Sequence, residues 1–186
     1  HHIQQSTDRA VIQWQSFNVG AQEQVNFQVP NSTSSTLNRV VGGNLSDIAG
    51  QLNSNGQLIL LNPNGILFQN GSAVNAAGLM ASTLNLSDSN YLSGNYTFSG
   101  NPGGHILNQG TLSATDGGFV ALLSPSIENQ GLIQAKAGSV VLGSGSQATL
   151  DFAGDELISF AVNQGVAESG GIKNSGTIAS QGGTVM

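Results

Sequence analysis

The sequence contains no cysteine and very little charge. Its 186 residues include four Lys and Arg and ten Asp and Glu, which gives a net charge of −6. Without cysteine, disulfides and thiolate metal sites are excluded. Without a basic patch, neither nucleic acid nor an anionic lipid surface is expected as a partner. We find no apolar run of about 20 residues that would span a membrane as a helix. We find no signal peptide, and expect that one was removed or never existed.

Helical patterns are missing as well. No stretch shows a sustained apolar period of about 3.6 residues flanked by caps. The chain has instead 26 glycines, abundant Asn, Ser and Gln, and 38% hydrophobic residues spread in short runs. Such runs argue against disorder despite the low charge. These features predict an all-β protein, and an acidic, cysteine-free chain of this composition suits bacterial export.

The clearest pattern of strands and turns lies in residues 57–83. Two apolar runs, Leu58–Leu61 and Ile66–Phe68, are separated by the sequence NPNG at 62–65. The proline presets φ for a turn, and the asparagine and glycine that follow it tolerate left-handed backbone. The first asparagine can hydrogen-bond backbone amides across the turn. This pattern predicts a tight corner between two buried strands.

An internal repeat runs along the chain and is strongest in its second half. Its strong copies are Ile106–Leu112, Ile127–Ile133 and Ile172–Ile178, and its looser copies are Leu52–Leu58 and Val74–Met80. Shortly after each strong copy comes a glycine with a fresh apolar strand. Regular repetition of such a short unit indicates a solenoid.

The period of the repeat is near 21 residues. Gly110 and Gly131 are 21 positions apart, and Gly131 and Gly176 are 45 apart, which is two periods with a few residues added. Short strands with Gly and Asn corners at this period predict a right-handed parallel β-helix, whose coils pair about 4.8 Å apart. The asparagine in each strong copy is then expected to bond the neighbouring coils. An antiparallel sandwich is the alternative, ranked lower because it needs no fixed period.

We predict one domain over residues 3–186, with two segments that leave the repeat. Residues 87–104 are expected to form a hairpin on the flank of the β-helix, and residues 151–171 a second excursion that lengthens one interval. Residues 1–2 are set aside as a candidate tag remnant. Residues 45–52 fit a brief helical turn or a strand equally well.

Six blocks of sequence follow one another over the first half of the chain. They are Ala10–Gly20, Val25–Phe27, Leu37–Val40, Ser54–Gln57, Leu61–Ile66 and Gly78–Thr83. On these blocks the chain resembles the two-partner-secretion (TPS) domain at the N-terminus of the filamentous haemagglutinin family of exoproteins, the TpsA proteins. The second half agrees with that family only in its repeat character.

The resemblance implies a right-handed β-helix with a cap and an extra-helical sheet on its first coils. It also implies export by a Gram-negative bacterium to the cell surface. Such a domain reaches the periplasm unfolded, is recognised by the periplasmic modules of a dedicated outer-membrane transporter, and directs secretion of the exoprotein, which folds outside. The cap residues that the family has before Gln4 are missing here, and a C-terminal passenger is expected after Met186.

A set of residues within and beside these blocks is the candidate motif for transporter recognition and secretion. They are Asn38, Arg39, Asn55, Gly56, Asn62, Pro63, Asn64, Gly65 and Ile66. For NPNG, the stability of a turn is ranked above direct contact with the transporter. Two routes to recognition stay open: β-augmentation by the amphipathic strands Val11–Val19 and Gln24–Val29, and docking of a folded surface. The domain is expected to be a monomer.

An enzyme is the rival class, because many carbohydrate-cleaving enzymes are parallel β-helices. Such enzymes bring several carboxylates to one face, whereas the acids here are scattered. Their one cluster, Asp151, Asp155 and Glu156, lies in an excursion, and His105, the single internal histidine, is interpreted as structural or exposed. We therefore predict no catalysis, no metal site and no cofactor. An adhesin that binds host cells or glycans directly is the alternative without catalysis.

Overall fold

The computed structural model describes residues 1–100, 103–151, 159–164 and 170–186. Short strands wind into successive coils, and neighbouring coils pair in parallel, which makes a β-helix with three faces. Strands are numbered β1 to β20 along the chain, and β9 and β12 bend so that each contributes to two faces.

The first face consists of β1 His2–Gln4, β3 Gln24–Gln28, β6 Gln51–Ser54, the first part of β9 Ala73–Ser82, the first part of β12 Thr111–Leu123, β14 Leu132–Ala135 and β19 Thr177–Ala179. The second face consists of β2 Arg9–Trp14, β4 Ser35–Val40, β7 Gln57–Leu61, the later parts of β9 and β12, β15 Ser139–Gly143 and β20 Thr184–Val185. The third face consists of β5 Ser46–Ile48, β8 Ile66–Phe68, β11 Ile106–Asn108, β13 Ser126–Asn129 and β18 Gly171–Asn174.

Neighbouring coils pair residue for residue. The first isoleucines of the three strong repeats form one column on the third face, and their last residues, Leu112, Ile133 and Ile178, form another on the first face. The predicted parallel β-helix is therefore confirmed, and the 21-residue period holds between the first two strong copies. The interval of 45 positions is a single coil that includes the second excursion, because Asn129 bonds Asn174 directly, so its interpretation as two periods is wrong. Residues 45–52 contribute strands β5 and β6, so of the two interpretations the strand is right.

The two looser repeat copies lie at a different corner from the one expected. Leu52 pairs with Val74, and Val74 pairs with Leu112, which is the end of a strong copy and not its start. The predicted register of these copies is therefore wrong. Both corners place an apolar residue inside the coil before a polar stretch with a glycine, so their sequences look alike although their positions in the coil differ.

Glycines stack at the corners because the backbones of successive coils nearly touch there. A Cβ on Gly131 would lie 2.1 Å from the carbonyl oxygen of Gly110, and one on Gly176 would lie 2.1 Å from that of Gly131. A second column has the same geometry, since a Cβ on Gly138 would lie 1.9 Å from the oxygen of Gly118. Only glycine permits such an approach, which explains why the repeat carries it at fixed positions.

A ladder of asparagines runs beside these glycines. Asn108 Nδ2 donates to Asn129 Oδ1 at 2.7 Å, and Asn129 Nδ2 donates to Asn174 Oδ1 at 2.7 Å. Asn108 and Asn129 are fully buried. Each side-chain amide thus bonds the amide of a neighbouring coil, as the repeat predicts. These hydrogen bonds offset the free-energy penalty of burying the polar atoms away from water.

Replacing Asn129 with alanine is expected to lower the free energy of unfolding by about 2 kcal/mol, because the buried Asn108 amide loses its acceptor. The matched control is Gln130→Ala, which removes two exposed 2.9 Å bonds, one accepted from Gln109 Nε2 and one donated to Glu128 Oε1, and is expected to cost less than about 0.5 kcal/mol. Urea unfolding of both variants measures the difference. Equal losses would show that the buried ladder contributes no more than a surface bond.

The second face is buried on both sides. In β7, Leu58 and Leu60 point into the coil, whereas Ile59 and Leu61 point outward into a second apolar cluster with Tyr91. A sheet covered on both faces needs a continuous apolar strand rather than an alternating one. This explains the unbroken apolar run before NPNG.

An extra-helical layer covers the outside of the second face. It comprises helix α1 Asp88–Ser93 and the antiparallel strands β10 Tyr96–Ser99, β16 Gln147–Asp151 and β17 Ser159–Gln164, in the order β10–β16–β17. The first excursion is therefore a helix followed by one strand, and the hairpin expected within 87–104 is wrong. The second excursion joins the same sheet through β16 and β17. Residues 152–158 and 165–169 of it lie outside the described residues.

The helix begins and ends at strong capping residues. Asn90 N donates to Ser87 Oγ at 3.2 Å, and Gly94 ends the helix with a φ of 79°. A serine N-cap and a left-handed glycine are the preferred residues at these two positions. Within the described ranges no helix is long and apolar enough to cross a membrane.

Candidate functional site

The NPNG corner is a hydrogen-bonded turn between β7 and β8. Gly65 N donates to the carbonyl oxygen of Asn62 at 3.1 Å, and Gly65 has a φ of 117°. The predicted corner is confirmed, with the left-handed residue at Gly65 rather than at Asn64. A side chain at Gly65 would be strained by that backbone, since L-residues rarely adopt it.

The Asn62 side chain is the centre of the turn. It is fully buried, and its Nδ2 donates to the carbonyl oxygen of Asn44 and to Ser46 Oγ, both at 3.0 Å. Its Oδ1 accepts from the backbone nitrogen of Asn64 at 3.0 Å and from Asn64 Nδ2 at 3.2 Å. All its polar atoms are satisfied by backbone or by neighbouring turn residues, so Asn62 acts by holding two coils together.

Three successive coils meet at this corner. Ser46 N donates to the carbonyl oxygen of Gly65 at 3.0 Å, and Ile66 N donates to that of His105 at 3.0 Å. Gly104 N donates to the carbonyl oxygen of Pro63 at 3.1 Å, and a Cβ on Gly104 would lie 2.4 Å from Gly65 N. The corner is therefore the point where an early coil is joined to the coils on either side.

The outer rim of the turn faces an open groove. Pro63 and Asn64 are exposed, whereas Asn62, Gly65 and Ile66 are buried. The groove, here called the corner groove, encloses about 440 Å³ and is lined by Gly43, Asn44, Leu45, Pro63, Asn64, Gly103 and Gly104. Leu45 is 43% exposed at this rim. Leu45 is therefore a candidate for contact with a partner that the sequence did not indicate. The one pattern that could have pointed to it is an apolar residue shortly after two glycines.

Asn38 and Arg39 lie on β4, next to the strand that enters the corner, but their side chains point elsewhere. Asn38 is fully buried, and its Oδ1 accepts from Trp14 Nε1 at 3.0 Å. Arg39 forms an ion pair with Asp88 and donates to the carbonyl oxygen of Leu86. Arg39 therefore ties β4 to the start of helix α1 through an acid and a backbone carbonyl.

Arg9 also binds helix α1, at the end opposite to Arg39. Its Nη1 donates to the carbonyl oxygens of Tyr91 and Leu92, where a cation also suits the negative end of the helix. Because the chain has only four basic residues, each arginine could have been expected from the sequence to have a specific structural partner. Arg9 and Arg39 thus fasten the two ends of α1 to the first coils.

Asn55 and Gly56 form a separate corner, between β6 and β7. Asn55 Oδ1 accepts from Val29 N at 2.8 Å, and its Nδ2 donates to Val29 O at 2.8 Å, which replaces a missing strand partner. A Cβ on Gly56 would lie 2.4 Å from the carbonyl oxygen of Ser34. The candidate residues therefore do not converge on one surface, and of the NPNG residues only Pro63 and Asn64 offer side chains to a partner.

Two ion pairs of the described residues lie at the surface. Lys136 Nζ is 3.0 Å from Asp116 Oδ2, and Lys173 Nζ is 2.9 Å from Glu128 Oε1. The hydrogen bond from Lys173, and next that from Gln130, lowers the pKa of Glu128. Exposed pairs of this kind stabilise a fold little, and neither has the buried, perturbed carboxylates typical of a catalytic site.

The residues proposed for an enzyme remain apart or undescribed. His105 is exposed, and Asp155 and Glu156 lie outside the described residues. Elsewhere in the described part of the chain, no group of three His, Asp or Glu side chains could hold a metal ion. Burial raises the pKa of Tyr91 and of Tyr96, and both belong to the apolar cluster beneath α1.

The fold and the NPNG corner define a parallel β-helix with an extra-helical antiparallel layer, and comparisons with known proteins agree with this class. The family model of the TPS secretion domain matches residues 1–185. The crystal structure of the HMW1 secretion domain from Haemophilus influenzae superposes with a TM-score of 0.89 at 33% identity, covering 99% of this chain and 49% of that one. The chain belongs to the TPS secretion domain family.

Two curated relatives from Haemophilus influenzae are each named heme/hemopexin-binding protein. One is 36% identical over 190 residues, which is 95% of this chain and 21% of the relative. The other is 43% identical over 96 residues, which is 52% of this chain and 10% of the relative. The chain thus spans only about a fifth or less of the length of these proteins. Its family is one of secreted exoproteins and is not known as an enzyme family.

Proposed function

We propose that this domain is a secretion signal bound by the periplasmic modules of a cognate outer-membrane transporter. The observation that carries the proposal is the TPS secretion domain match over residues 1–185. The domain would pass through the periplasm unfolded and lead the exoprotein to the cell surface. The partner is a protein, and export needs no cofactor from this chain.

The NPNG corner has two roles in this proposal. The buried residues Asn62, Gly65 and Ile66 act through the fold, because they join three coils and give the emerging chain a nucleus. Pro63 and Asn64 are the residues of the turn that offer exposed side chains to the transporter. Asn38, Arg39, Asn55 and Gly56 support secretion by fixing the first coils.

Strand β2 supports β-augmentation as the route of recognition. Among the described residues it pairs on one side only, with β4. The opposite edge of such a strand carries backbone donors and acceptors that an edge strand of a transporter module can pair. If the transporter recognises the chain before it folds, β2 offers this edge early, whereas β3 is paired on both sides in the folded domain, with β1 and β6.

We expect secretion of a reporter fused after this domain to depend on the transporter. With a signal peptide ahead of the domain, the fusion should reach the medium only when the cognate transporter is co-expressed. Deleting residues 10–29 should abolish export, because β2 and β3 are removed. Immunoblots of medium and periplasm measure both results. Equal secretion with and without the transporter would reject the proposal, and export of the deletion variant would place recognition elsewhere.

Binding of the isolated domain to purified transporter modules separates the two routes. If an unfolded strand is recognised, the urea-unfolded domain diluted into buffer should bind more than the folded domain does. If a folded surface is recognised, the order reverses, and Asn64→Ala should weaken binding while lowering the thermal midpoint by only about 2–4 °C.

For the longer exoprotein, the names of the two relatives favour haem or haemopexin binding as the activity that is exported. In that case this domain contributes export, and binding belongs to the exported protein as a whole. The second candidate function for the domain itself is direct adhesion. The outer surface of the first face is the surface considered for such binding.

A further inference from the structure

The outer surface of the first face is polar, uncharged and rich in amides. On successive coils, Asn26 pairs with Asn53, Asn53 with Asn75, and Asn75 with Ser113. Ser113 in turn pairs with Gln134. Asparagine is disfavoured in strands, so a column of three asparagines, one per coil, calls for an explanation beyond strand formation.

The asparagines of this column bond one another in one direction. Asn75 Nδ2 donates to Asn53 Oδ1 at 3.1 Å, and Asn53 Nδ2 donates to Asn26 Oδ1 at 3.1 Å. Within the described part of the chain, this leaves Asn75 Oδ1 without a donor and Asn26 Nδ2 without an acceptor. The chain of aligned amides therefore ends in a free acceptor at one end and a free donor at the other.

An irregular, exposed segment of strand β12, here called the wall, lies beside this column. Strand β12 carries an irregularity between Ala114 and Phe119, where its register against β9 shifts, and Thr115–Gly117 are exposed there. The sheet and the wall enclose a groove of about 420 Å³, here called the amide groove. Its lining includes the asparagine column and Ser113, whose side chains face outward. A volume of this size is within the range of small-ligand sites.

We propose that the amide groove binds a linear, neutral polysaccharide whose chain lies along the axis of the β-helix. Side-chain amides donate and accept at once, which matches hydroxyl groups that do the same. Adjacent coils repeat about every 4.8 Å, close to the length of one pyranose unit in an extended chain. Successive sugars can therefore meet equivalent amides on successive coils.

The lining and the charge of the groove select the class of ligand. Ala76 is 1% exposed and belongs to the inner core, and Ala114 packs against that core, so the groove presents polar side chains to a ligand. All the residues that line the groove are uncharged, and the protein carries a net charge of −6. An anionic glycan would meet no basic residue in this groove and a repulsive overall field, so a neutral chain is favoured.

The test uses the purified domain with fluorescently labelled cellohexaose and chitohexaose, and with a heparin hexasaccharide as the charged comparison. Fluorescence anisotropy should show saturable binding of at least one of the neutral hexasaccharides and none of heparin. Asn53→Ala and Asn75→Asp should each weaken binding about tenfold, the effect of one lost hydrogen bond of ordinary to charged strength. Asn75 is exposed, so the second variant keeps its fold, which the thermal midpoint verifies.

The matched control is Gln109→Ala, which breaks another amide pair between coils, Gln109 to Gln130 at 2.9 Å, away from the groove. It should leave binding unchanged. No binding of either neutral hexasaccharide at millimolar concentration would overturn the proposal. So would binding that the groove variants leave intact, or binding of heparin alone. The measurement needs no transporter, so it is independent of the secretion experiments.

Discussion

Gly131→Ala is expected to lower the free energy of unfolding by about 3 kcal/mol, at the upper end of the usual cost of overpacking. The new Cβ would lie 2.1 Å from the carbonyl oxygen of Gly110 and 2.7 Å from the carbonyl carbon of Gln109. Both atoms belong to backbone that is held in the neighbouring coil, so no side chain can move aside. The two coils must separate, and the hydrogen bonds next to the corner lengthen. Equilibrium unfolding in urea measures the loss.

The control for this variant is Gly43→Ala. A Cβ at Gly43 has nothing within 4 Å, and its φ is not in the left-handed region. Alanine there is expected to leave stability unchanged or to raise it by a few tenths of a kcal/mol, because the unfolded chain loses freedom. If Gly131→Ala is as harmless as Gly43→Ala, the stacked glycines are not required by close approach, and the explanation given for the repeat fails.

Asn62→Ala is expected to cost about 3 kcal/mol and to reduce secretion strongly. The substitution removes two donated and two accepted hydrogen bonds from a fully buried side chain. It also leaves Ser46 and the backbone of Asn64 without their partner, at a cost of about 1–3 kcal/mol for each buried group that stays unpaired. Secretion falls because the first coils fold late outside the cell and the chain lacks a nucleus. Thermal unfolding and the reporter assay measure the two effects together.

The exposed neighbour of Asn62 separates stability from recognition. Asn64→Ala removes the bonds from Asn64 Nδ2 to the carbonyl oxygen of Gly42 at 2.8 Å and to Asn62 Oδ1 at 3.2 Å, but it keeps the backbone bond to Asn62, so it should cost about 1 kcal/mol. A variant of Asn64 that folds normally but fails to bind transporter modules would assign direct contact to the rim of the turn. If Asn62→Ala keeps the thermal midpoint and still abolishes binding, Asn62 is itself a recognition residue and the structural role assigned to it is wrong.

The β-helix could be predicted because its signals are local or periodic. Turn residues at 62–65 specify a corner by their own backbone preferences, and the 21-residue spacing specifies which coils pair. The ladder of Asn108, Asn129 and Asn174 follows directly from that spacing. By contrast, the looser copies at Leu52 and Val74 could not be placed, because two corners of one coil have similar sequences.

The extra-helical layer could not be predicted, because contacts distant in sequence determine it. Helix α1 has six residues, too few for a helical period to be detected. Its position depends on Arg9, on Arg39 and on the Tyr91 hydroxyl, which donates to the carbonyl oxygen of Ser35 at 2.8 Å. A window that covers only residues 87–104 contains none of these partners except Tyr91, and its Tyr and Phe residues then favour strands.

The candidate site was predicted only as a set of residue numbers. Which of its members face solvent depends on the coils stacked above and below, so the sequence could not separate Asn62 from Asn64. Asn55 has the same chemistry as Asn62 but lies at another corner, where it bonds Val29. Asparagines of the family blocks therefore differ in what they do, and the distinction lies in their partners.

The continuity of the third face across the longer interval affects how this protein can change in length. Ile127 pairs with Ile172 as regularly as Ile106 pairs with Ile127, although one step spans 45 residues and the other 21. The additional residues of the longer step lie between β15 and β18. New sequence introduced there therefore leaves the coils in register, whereas an insertion within a strand would shift the pairing of every later coil. Relatives are expected to vary in length at such corners or by whole coils. An epitope grafted there would report export without disturbing the path of the chain.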